Sequence, residues 1–463
     1  MTIWIPNRET LQRPLHTSLV SAMKEAIADG RLSVGTRLPP HRALADILDL
    51  SVHTISKAYE ELKRQGLIDS HVGRGTYVLD PAPPSRQPFL MERSDQGIID
   101  LSIARPLYDS FHVEKMHAAL TKLPDSLNSD TYLACRPNIG LLSHRQRGVD
   151  WLVRCGLNTT EQSIIMTNGV SHGMVTALSS IARHGDIVVT ERIAHHLIIS
   201  LCAYLGLRLQ GLEMDEEGVL PEAFEAACRQ QEVKVFFTVP TLANPMVSMM
   251  SETRREQLVA IARRYDVVII EDDVLGPLPE DSPPPLSALA PERAIYLTSF
   301  TKCTLPGLRS GYLVAPDHLM PTITGRLIAF SWMATPLISE LASRWIEDGT
   351  ADELVSWQRQ ALCERHAIVT EEMSGLDWSG HPASLHFWLR LPDHWNAGSL
   401  VEHARALGVA VAPPQPFMTA QCESQNAVRI AVGGVHDPAR FRYGLSLIRD
   451  LLKRSPEPLL HPL

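Results

Sequence analysis

Four prolines fall within the eight residues Pro-Ala-Pro-Pro-Ser-Arg-Gln-Pro at positions 81–88. Each proline fixes its φ angle and removes a backbone donor, so this run favours an extended, semi-rigid spacer. The chain has 463 residues, more than one ordinary hydrophobic core accommodates. We therefore predict a small module at 1–80, a linker at 81–98, a large domain at 99–330 and a smaller C-terminal α+β part at 331–463.

The composition is typical of a soluble globular protein, with 44% hydrophobic and 21% charged residues. No apolar run approaches the ~20 residues of a membrane span, and the N-terminus lacks the plan of a signal peptide. Seven scattered cysteines without a CxxC pair predict neither a disulfide framework nor a metal site. We expect a cytoplasmic protein with no membrane partner.

The net charge of −9 taken alone argues against a nucleic-acid-binding protein. The charge is unevenly distributed, because residues 1–80 hold 10 Lys and Arg against 9 Asp and Glu. The N-terminal module is therefore free of the acidity of the rest. This balance permits DNA binding without demonstrating it.

The N-terminal module shows three helical patterns followed by two short strands. Helices are predicted at Leu15–Asp29, at His41–Leu48 and from Ser51 or His53 to about Gln65. The strands are predicted at 67–70 and 75–78. A helix-turn-helix followed by a β-hairpin is a winged helix, which places its second helix in the DNA major groove.

The large domain alternates helical patterns with continuous apolar runs at 187–189, 235–238, 267–270 and 295–298. Strands that are buried on both faces read as such runs, and they occur in parallel sheets covered by helices. The pattern therefore predicts an α/β domain with a mostly parallel sheet.

Lys302 follows the last of these runs within Ser299-Phe300-Thr301-Lys302, and Arg309 lies seven residues further on. An amine can form a Schiff base with an aldehyde, while hydroxyls and a guanidinium bind its phosphate. The set predicts a site for a phosphorylated aldehyde, pyridoxal 5′-phosphate, with Lys302 as the catalytic residue. The alternative is a surface lysine near an arginine.

Further parts of such a site follow in chain order. Gly169 precedes a predicted helix that opens with Val170 and Ser171, where backbone amides bind phosphate well. A glycine before a helix is also often only a turn. Asn244 follows a predicted strand and can donate to the cofactor's 3′-oxygen.

Asp272 stands in Glu271-Asp272-Asp273, after the predicted strand 267–270. Its carboxylate can pair with a protonated pyridine nitrogen; a metal site or a helix cap are the alternatives. Arg429 can clamp a ligand carboxylate with two hydrogen bonds, or it is an ordinary surface strand arginine.

Residues 12–79 resemble the DNA-binding domain of the GntR family of bacterial transcription factors. The matching motifs are Gly30-x-Leu32-x-x-Gly35-x-x-Leu38-Pro39, Arg42-x-Leu44-Ala45, Thr54-Ile55-x-x-Ala58-Tyr59-x-x-Leu62, Gly66-Leu67-Ile68 and Gly73-x-Gly75-Thr76-Tyr77-Val78. The resemblance implies contacts with double-stranded operator DNA from Arg42, His53, Thr54, Lys57, Arg74 and Thr76. Val52 stands where many members have Arg, which removes a guanine contact that His53 replaces only weakly. Lys57 also fits a solvated helix face.

About 350 residues, which span the large domain and the smaller C-terminal part, resemble class I/II aminotransferases of fold type I, on the motifs around Gly169, Asn244, Asp272 and Lys302. The fusion with a winged helix resembles the MocR subfamily of regulators. That resemblance implies a cytoplasmic bacterial protein that joins the nucleoid when bound to operator DNA, and a head-to-tail, domain-swapped homodimer. It assigns the aldimine to Lys302, the pyridine nitrogen to Asp272, the 3′-oxygen to Asn244, a ligand carboxylate to Arg429, and the phosphate to Gly169, Val170, Ser171, Ser299, Thr301, Arg309 and the partner's copy of Tyr132.

Three positions depart from the family pattern. His195 stands where an aromatic residue stacks on the cofactor ring, and Leu275 replaces a tyrosine that donates to the 3′-oxygen. Met246-Val247 replaces Thr-Gly in a tight turn. These changes favour ligand binding over turnover. We therefore predict a transcriptional regulator that senses pyridoxal phosphate, an amine or an amino acid, with a working aminotransferase as the alternative.

Overall fold

The computed structural model describes residues 4–28, 31–32, 36–64, 67–71, 75–78, 97–133, 135–420, 422 and 425–455. Contacts within the chain divide it into two compact units, residues 1–86 and 87–463. Most of the predicted linker, 81–96, lies outside the described residues.

The N-terminal unit contains three helices and a three-stranded sheet. Its elements are α1 (Leu15–Ala28), β1 (Arg37–Leu38), α2 (His41–Leu48), α3 (Val52–Arg64), β2 (Ile68–His71) and β3 (Gly75–Val78). The sheet order is β1-β3-β2, and both pairs are antiparallel. The three predicted helices and both strands of the hairpin are confirmed, whereas the two-residue strand β1 was not anticipated.

The helices of this unit pack through apolar stripes at helical spacing. On α3 the buried residues Ile55, Ala58, Tyr59 and Leu62 recur every three or four positions. The hydroxyl of Tyr59 donates to the carbonyl of Pro39 at 2.8 Å, which ties α3 to the segment that precedes α2. The three helices therefore form one small core with the sheet.

The second unit is larger and alternates helices with strands. Its helices are α4 (Ser110–Ser126), α5 (Ser129–Leu133), α6 (Leu142–Arg154), α7 (Val170–Ile181), α8 (His196–Tyr204), α9 (Pro221–Gln230), α10 (Glu252–Arg264), α11 (Leu286–Leu289), α12 (Met320–Ser331), α13 (Pro336–Glu347), α14 (Thr350–Glu372), α15 (Ala397–Ala406) and α16 (Pro438–Leu452). Its strands are β4 (Ile99–Asp100), β5 (Ile164–Thr167), β6 (Ile187–Glu191), β7 (Arg208–Leu212), β8 (Met214–Asp215), β9 (Gly218–Val219), β10 (Val233–Thr238), β11 (Val268–Asp272), β12 (Ala294–Ser299), β13 (Gly311–Val314), β14 (Trp378–Ser379), β15 (His386–Arg390), β16 (Val409–Ala410) and β17 (Ala427–Ala431).

A seven-stranded sheet with the order β5-β13-β12-β11-β10-β6-β7 forms the centre of this unit. In this sheet β13 runs antiparallel to both of its neighbours, β12 and β5. The four apolar runs predicted as parallel strands are β6, β10, β11 and β12, and they pair in parallel as predicted. Parallel strands end at the same edge of a sheet, so the residues after β11 and β12 come together there.

A smaller antiparallel sheet, β14-β15-β17, lies near the C-terminus. Residues 99–105, called the strap below, run beside it: β4 pairs with β16, and the amide of Ala431 donates to the carbonyl of Leu101 at 2.8 Å. Arg105 donates to the carbonyls of Gly433 and Gly434 at 3.3 and 2.6 Å. The strap is thereby bound to the last strand of the small sheet and to the residues that follow it.

No helix among the described residues is long and apolar enough to cross a membrane.

Gly433 is required where the strap crosses the end of β17. A Cβ atom at this position would overlap the backbone carbonyl of Arg105, so we expect Gly433→Ala to lower the free energy of unfolding by ~1–3 kcal/mol. The matched control is Gly325→Ala in α12, where a Cβ meets nothing within 4 Å and a gain of ~0.5–1 kcal/mol is expected. Urea denaturation of the full chain measures both, and equal effects would contradict this packing.

Candidate functional site

The three consecutive acids at the end of β11 point in alternate directions, as side chains of a strand do. Glu271 accepts hydrogen bonds from the backbone amides of Leu286 and Ser287 at 2.9 and 2.8 Å, at the start of α11. Asp273 accepts from the hydroxyl of Tyr296 at 2.7 Å. These two acids therefore hold neighbouring elements in place.

Asp272, between them, is 3% exposed, and its Oδ1 atom has no hydrogen-bond partner among the described residues. Burial, followed by the charge of Asp273, raises the pKa of Asp272 to about 7, while the nearby Lys302 opposes the shift. A buried carboxylate with an unused acceptor suits a cationic N–H donor, which is what a protonated pyridine nitrogen offers.

Lys302 ends a 3-10 turn, Phe300–Lys302, that directly follows β12. The turn is capped by Ser299, whose hydroxyl accepts from the amide of Thr301 at 3.3 Å. The Nζ atom of Lys302 donates to the carbonyl of Ala104 in the strap. Burial, and then the charge of Arg429, lowers the pKa of Lys302 to about 8 although Asp272 opposes this shift. The amine is therefore far more nucleophilic near neutral pH than an exposed lysine.

Two of the predicted phosphate-binding residues, Gly169 and Arg309, lie together at the N-terminus of α7. Gly169 has φ +80° and precedes the first residue of this helix. A Cβ atom on Gly169 would come within 2.8 Å of Nη2 of Arg309, which places the guanidinium against the helix start. A helix N-terminus next to an arginine is a favourable place for a dianion.

Buried hydroxyl groups lie around this helix start without hydrogen-bond partners among the described residues: Thr167, Thr301 and Ser310. Of these, only Thr301 was predicted from the sequence. Ser310 directly follows Arg309, and Thr167 ends β5 two residues before Gly169. The sequence could therefore have indicated both residues through their positions next to the predicted site residues. Ser171 is exposed in the first turn of α7.

Arg429 in β17 is 2% exposed and is therefore no surface arginine. Its Nη1 atom donates to Oδ1 of Asn244 at 2.9 Å, and its Nη2 atom donates to the carbonyl of Ser102 in the strap. Its guanidinium carbon lies 4.9 Å from the ring centroid of Phe417. Burial lowers the pKa of Arg429 to about 9. Because Oδ1 of Asn244 faces Arg429, the amide nitrogen of Asn244 is left as the donor predicted for the 3′-oxygen.

The strap was missed by the sequence analysis. Its carbonyls at Ser102 and Ala104 accept from the two cations of the site, Arg429 and Lys302. These contacts join residues about 200 and 330 positions apart, and backbone carbonyls carry no sequence signal.

The structure shows the surroundings of the residues that depart from the family pattern. The Nδ1 atom of His195 accepts from the amide of Leu197 at 3.4 Å, and burial with the charges of Lys302 and Arg429 lowers the pKa of His195 to about 3. Leu275 is packed in the hydrophobic core. Val247 adopts φ +61°, a strained conformation for a β-branched residue, so the turn persists without its glycine.

The predicted DNA-contacting residues lie on the N-terminal unit. Arg42, His53 and Lys57 are exposed on α2 and α3, whereas Thr54 and Thr76 are half-buried. Arg74 lies outside the described residues. Val52, at the first position of α3, is 44% exposed.

Tyr132 is 57% exposed on α5. No hydrogen bond or ring contact recorded between described residues joins it to the site around Lys302. Its predicted role involves a partner subunit and stays a prediction.

Two family models match the chain. Residues 96–448 match "Aminotransferase class I and II", and residues 15–78 match "Bacterial regulatory proteins, gntR family".

Curated relatives include the uncharacterized HTH-type transcriptional regulator YdeF of Bacillus subtilis, 26% identical over 97% of this chain and 96% of its own length. The uncharacterized regulator YjiR of Escherichia coli is 26% identical over 76% of this chain and 80% of its own. An aromatic-amino-acid aminotransferase of Thermococcus litoralis is 25% identical over 79% of this chain and 90% of its own.

Solved structures share the fold of the large unit. LysN, an α-aminoadipate aminotransferase of Thermus thermophilus, superposes with a TM-score of 0.70 at 20% identity and covers 77% of this chain and 92% of its own. The kynurenine aminotransferase of Pyrococcus horikoshii gives a TM-score of 0.70 at 23% identity over 80% and 96%. The chain therefore belongs to the aminotransferase class I and II family, with fold type I, and its N-terminal gntR-type winged helix gives it the architecture of the MocR-type transcriptional regulators.

Proposed function

We propose that this chain is a pyridoxal phosphate-dependent regulator that binds operator DNA and senses the cofactor itself, an amine or an amino acid at Lys302. The observation that supports it most is a set of buried groups near Lys302 that have no hydrogen-bond partner among the described residues, namely Oδ1 of Asp272 and the hydroxyls of Thr301 and Ser310. An apolar core does not retain such groups without use, since each costs ~1–3 kcal/mol.

The residues fit pyridoxal phosphate. Lys302 would join its aldehyde as a Schiff base, Asp272 would pair with its pyridine nitrogen and Asn244 would donate to its 3′-oxygen. Its phosphate would be held at the start of α7 by Gly169, Val170, Ser171, Thr167, Ser299, Thr301, Ser310 and Arg309. When bound, the cofactor supplies a reactive carbonyl for amines and an electron sink. His195 stays neutral beside it, because burial holds its pKa well below the physiological range.

The contacts of the strap support a sensing role. Lys302 and Arg429 each donate a hydrogen bond to a carbonyl oxygen of the strap. A ligand that engages either cation competes with those bonds, and in the sequence the strap directly follows the linker that joins the large unit to the winged helix. Ligand binding and DNA binding would thereby be coupled through their effect on one conformational equilibrium.

We further propose a homodimer that forms through an apolar surface beside the cofactor site. Exposed residues on it are Tyr132 (57%), Leu133 (73%), Phe330 (49%), Trp332 (46%) and Leu337 (39%). Nε1 of Trp332 donates to the carbonyl of Cys135 at 2.9 Å, and the amide of Thr335 donates to Oδ1 of Asn168 at 2.9 Å. The surface therefore adjoins the start of α7. Apolar patches of this kind mark protein interfaces.

An active aminotransferase is the second candidate. The named aminotransferase among the relatives supports it, as does the lowered pKa of Lys302. Pyridoxamine phosphate that accumulates quickly after addition of an amino acid would favour this candidate over the regulator.

The proposal is tested by selection of genomic fragments with the purified protein, with and without pyridoxal phosphate. We expect a fragment upstream of a gene to be bound, with an affinity that changes with cofactor or amine. Failure to bind any fragment under every cofactor condition would contradict the regulator.

Replacing Lys302 with alanine removes the proposed attachment point. We expect Lys302→Ala to lose the absorption band of the bound pyridoxal phosphate Schiff base at the border of the ultraviolet and visible ranges. We also expect its affinity for DNA to stop responding to amines. The control is Lys453→Ala, whose lysine is 66% exposed and which should behave as wild type. An unchanged absorbance band in Lys302→Ala would rule out the assignment.

Arg42 is exposed on α2, where it would contact either a phosphate or a base edge of the operator. If it contacts a phosphate, Arg42→Ala should weaken binding to every DNA sequence. If it contacts a base edge, Arg42→Ala should relax the specificity at one base pair. For a phosphate contact, the slope of log affinity against log salt falls by about 1. Arg229→Ala, on the exposed surface of α9 (65%), is the control. Fluorescence anisotropy over a salt series distinguishes the two cases, and wild-type binding by Arg42→Ala would remove this residue from the interface.

Leu133→Glu places a charge on the most exposed large apolar residue of the proposed dimer surface. We expect it to convert the dimer to a monomer at micromolar concentration, whereas Leu407→Glu, an exposed leucine (49%) at the end of α15, leaves the dimer intact. Sedimentation equilibrium measures both. A Leu133→Glu protein that remains dimeric would place the interface elsewhere.

A further inference from the structure

His386 is a second histidine beside the site that neither the sequence analysis nor the proposed function uses. It is 1% exposed, and neither of its ring nitrogens has a hydrogen-bond partner within the described parts of the chain. His366 shows the ordinary alternative: it is also buried, but its Nε2 atom lies 2.9 Å from the carbonyl oxygen of Ser384 and 3.1 Å from its hydroxyl. His386 is therefore an unsatisfied buried imidazole.

The strand register places His386 on the same face of the small sheet as Arg429. Trp388 lies directly opposite Arg429 in the β15–β17 pair, and His386 is two residues from Trp388. Directly opposed residues share a face, and alternate residues of one strand do so as well. The intervening Phe387 and its opposite, Ile430, point to the other face of the sheet. His386 thus faces the side on which Arg429 meets Asn244.

The surroundings of the imidazole locate it further. The backbone of Ala243 lies beside the ring without a hydrogen bond of normal geometry, and Ala243 is followed by Asn244. Burial, followed by the charges of Arg429 and Lys302, holds the pKa of His386 well below its usual value. His386 is therefore a neutral imidazole with one N–H donor and one acceptor, next to two cations.

We propose that His386 is a specificity-determining residue that donates a hydrogen bond to the carboxylate of an amino-acid ligand held by Arg429. The nearby cations favour an anionic ligand group, and a neutral imidazole adds a donor there without adding a third positive charge. The inference rests on the proposed function, and it narrows the ligand from amines in general to amino acids that retain their carboxylate.

The test uses two probes that differ only in this group. N-(5′-phosphopyridoxyl)-L-leucine, the compound bound in the LysN structure, carries the carboxylate, and N-(5′-phosphopyridoxyl)-isopentylamine lacks it. Isothermal titration of the full-length, cofactor-free protein gives the ratio of their Kd values. We expect wild type to prefer the carboxylated probe, His386→Phe to reduce that preference about tenfold or more, as a lost hydrogen bond to a charged group predicts, and His386→Asn to retain part of it.

Thermal unfolding without ligand provides a second readout. Phenylalanine replaces an unsatisfied polar ring by an apolar one of similar size, so we expect the Tm of His386→Phe to equal or exceed that of wild type. An unchanged probe preference in His386→Phe and His386→Asn would overturn the inference and leave His386 as a packing residue. If wild type bound both probes equally, the role proposed for Arg429 would fail as well; if it bound neither, the proposed cofactor site would fail.

Discussion

The electrostatic attraction between Asp272 and Lys302 is the interaction on which the rest of the site depends. Asp272 ends β11 and Lys302 follows the neighbouring parallel strand β12, and the register of this pair sets Asp272 opposite Leu297. Their opposite charges partly offset the cost of burial, because each opposes the other's pKa shift. Each nevertheless keeps a shifted pKa, so neither is fully compensated by protein groups. A ligand with an aldehyde and a basic ring nitrogen would provide a bonding partner for each of these two side chains.

The neighbouring acids explain how the fold tolerates this arrangement. Glu271 and Asp273 are engaged by α11 and Tyr296, which fixes the backbone on either side of Asp272 at the end of β11. The strap acts similarly for the cations, since Ala104 and Ser102 accept from Lys302 and Arg429. The strap thus holds the side chains of Lys302 and Arg429 in place, and a ligand that binds either cation competes with these hydrogen bonds.

The sequence predicted those features whose signal is local. Continuous apolar runs identified β6, β10, β11 and β12, and apolar spacing identified the three helices of the N-terminal unit. Lys302, Asp272 and Gly169 were found because each follows a buried strand at a recognisable spacing. The antiparallel direction of β13 had no such signal, since a short buried strand reads alike in both directions. The strap carbonyls and His386 were missed because only long-range pairing of β4, β15 and β17 brings them to the site.

The central claim is that this set of buried groups is a pyridoxal phosphate site, and covalent trapping tests it most directly. The protein is saturated with pyridoxal phosphate, reduced with borohydride, digested and analysed by mass spectrometry. The account predicts one phosphopyridoxyl group per chain, on the peptide that contains Lys302. A label spread over exposed lysines such as Lys234 and Lys453, or no label at Lys302, would contradict it.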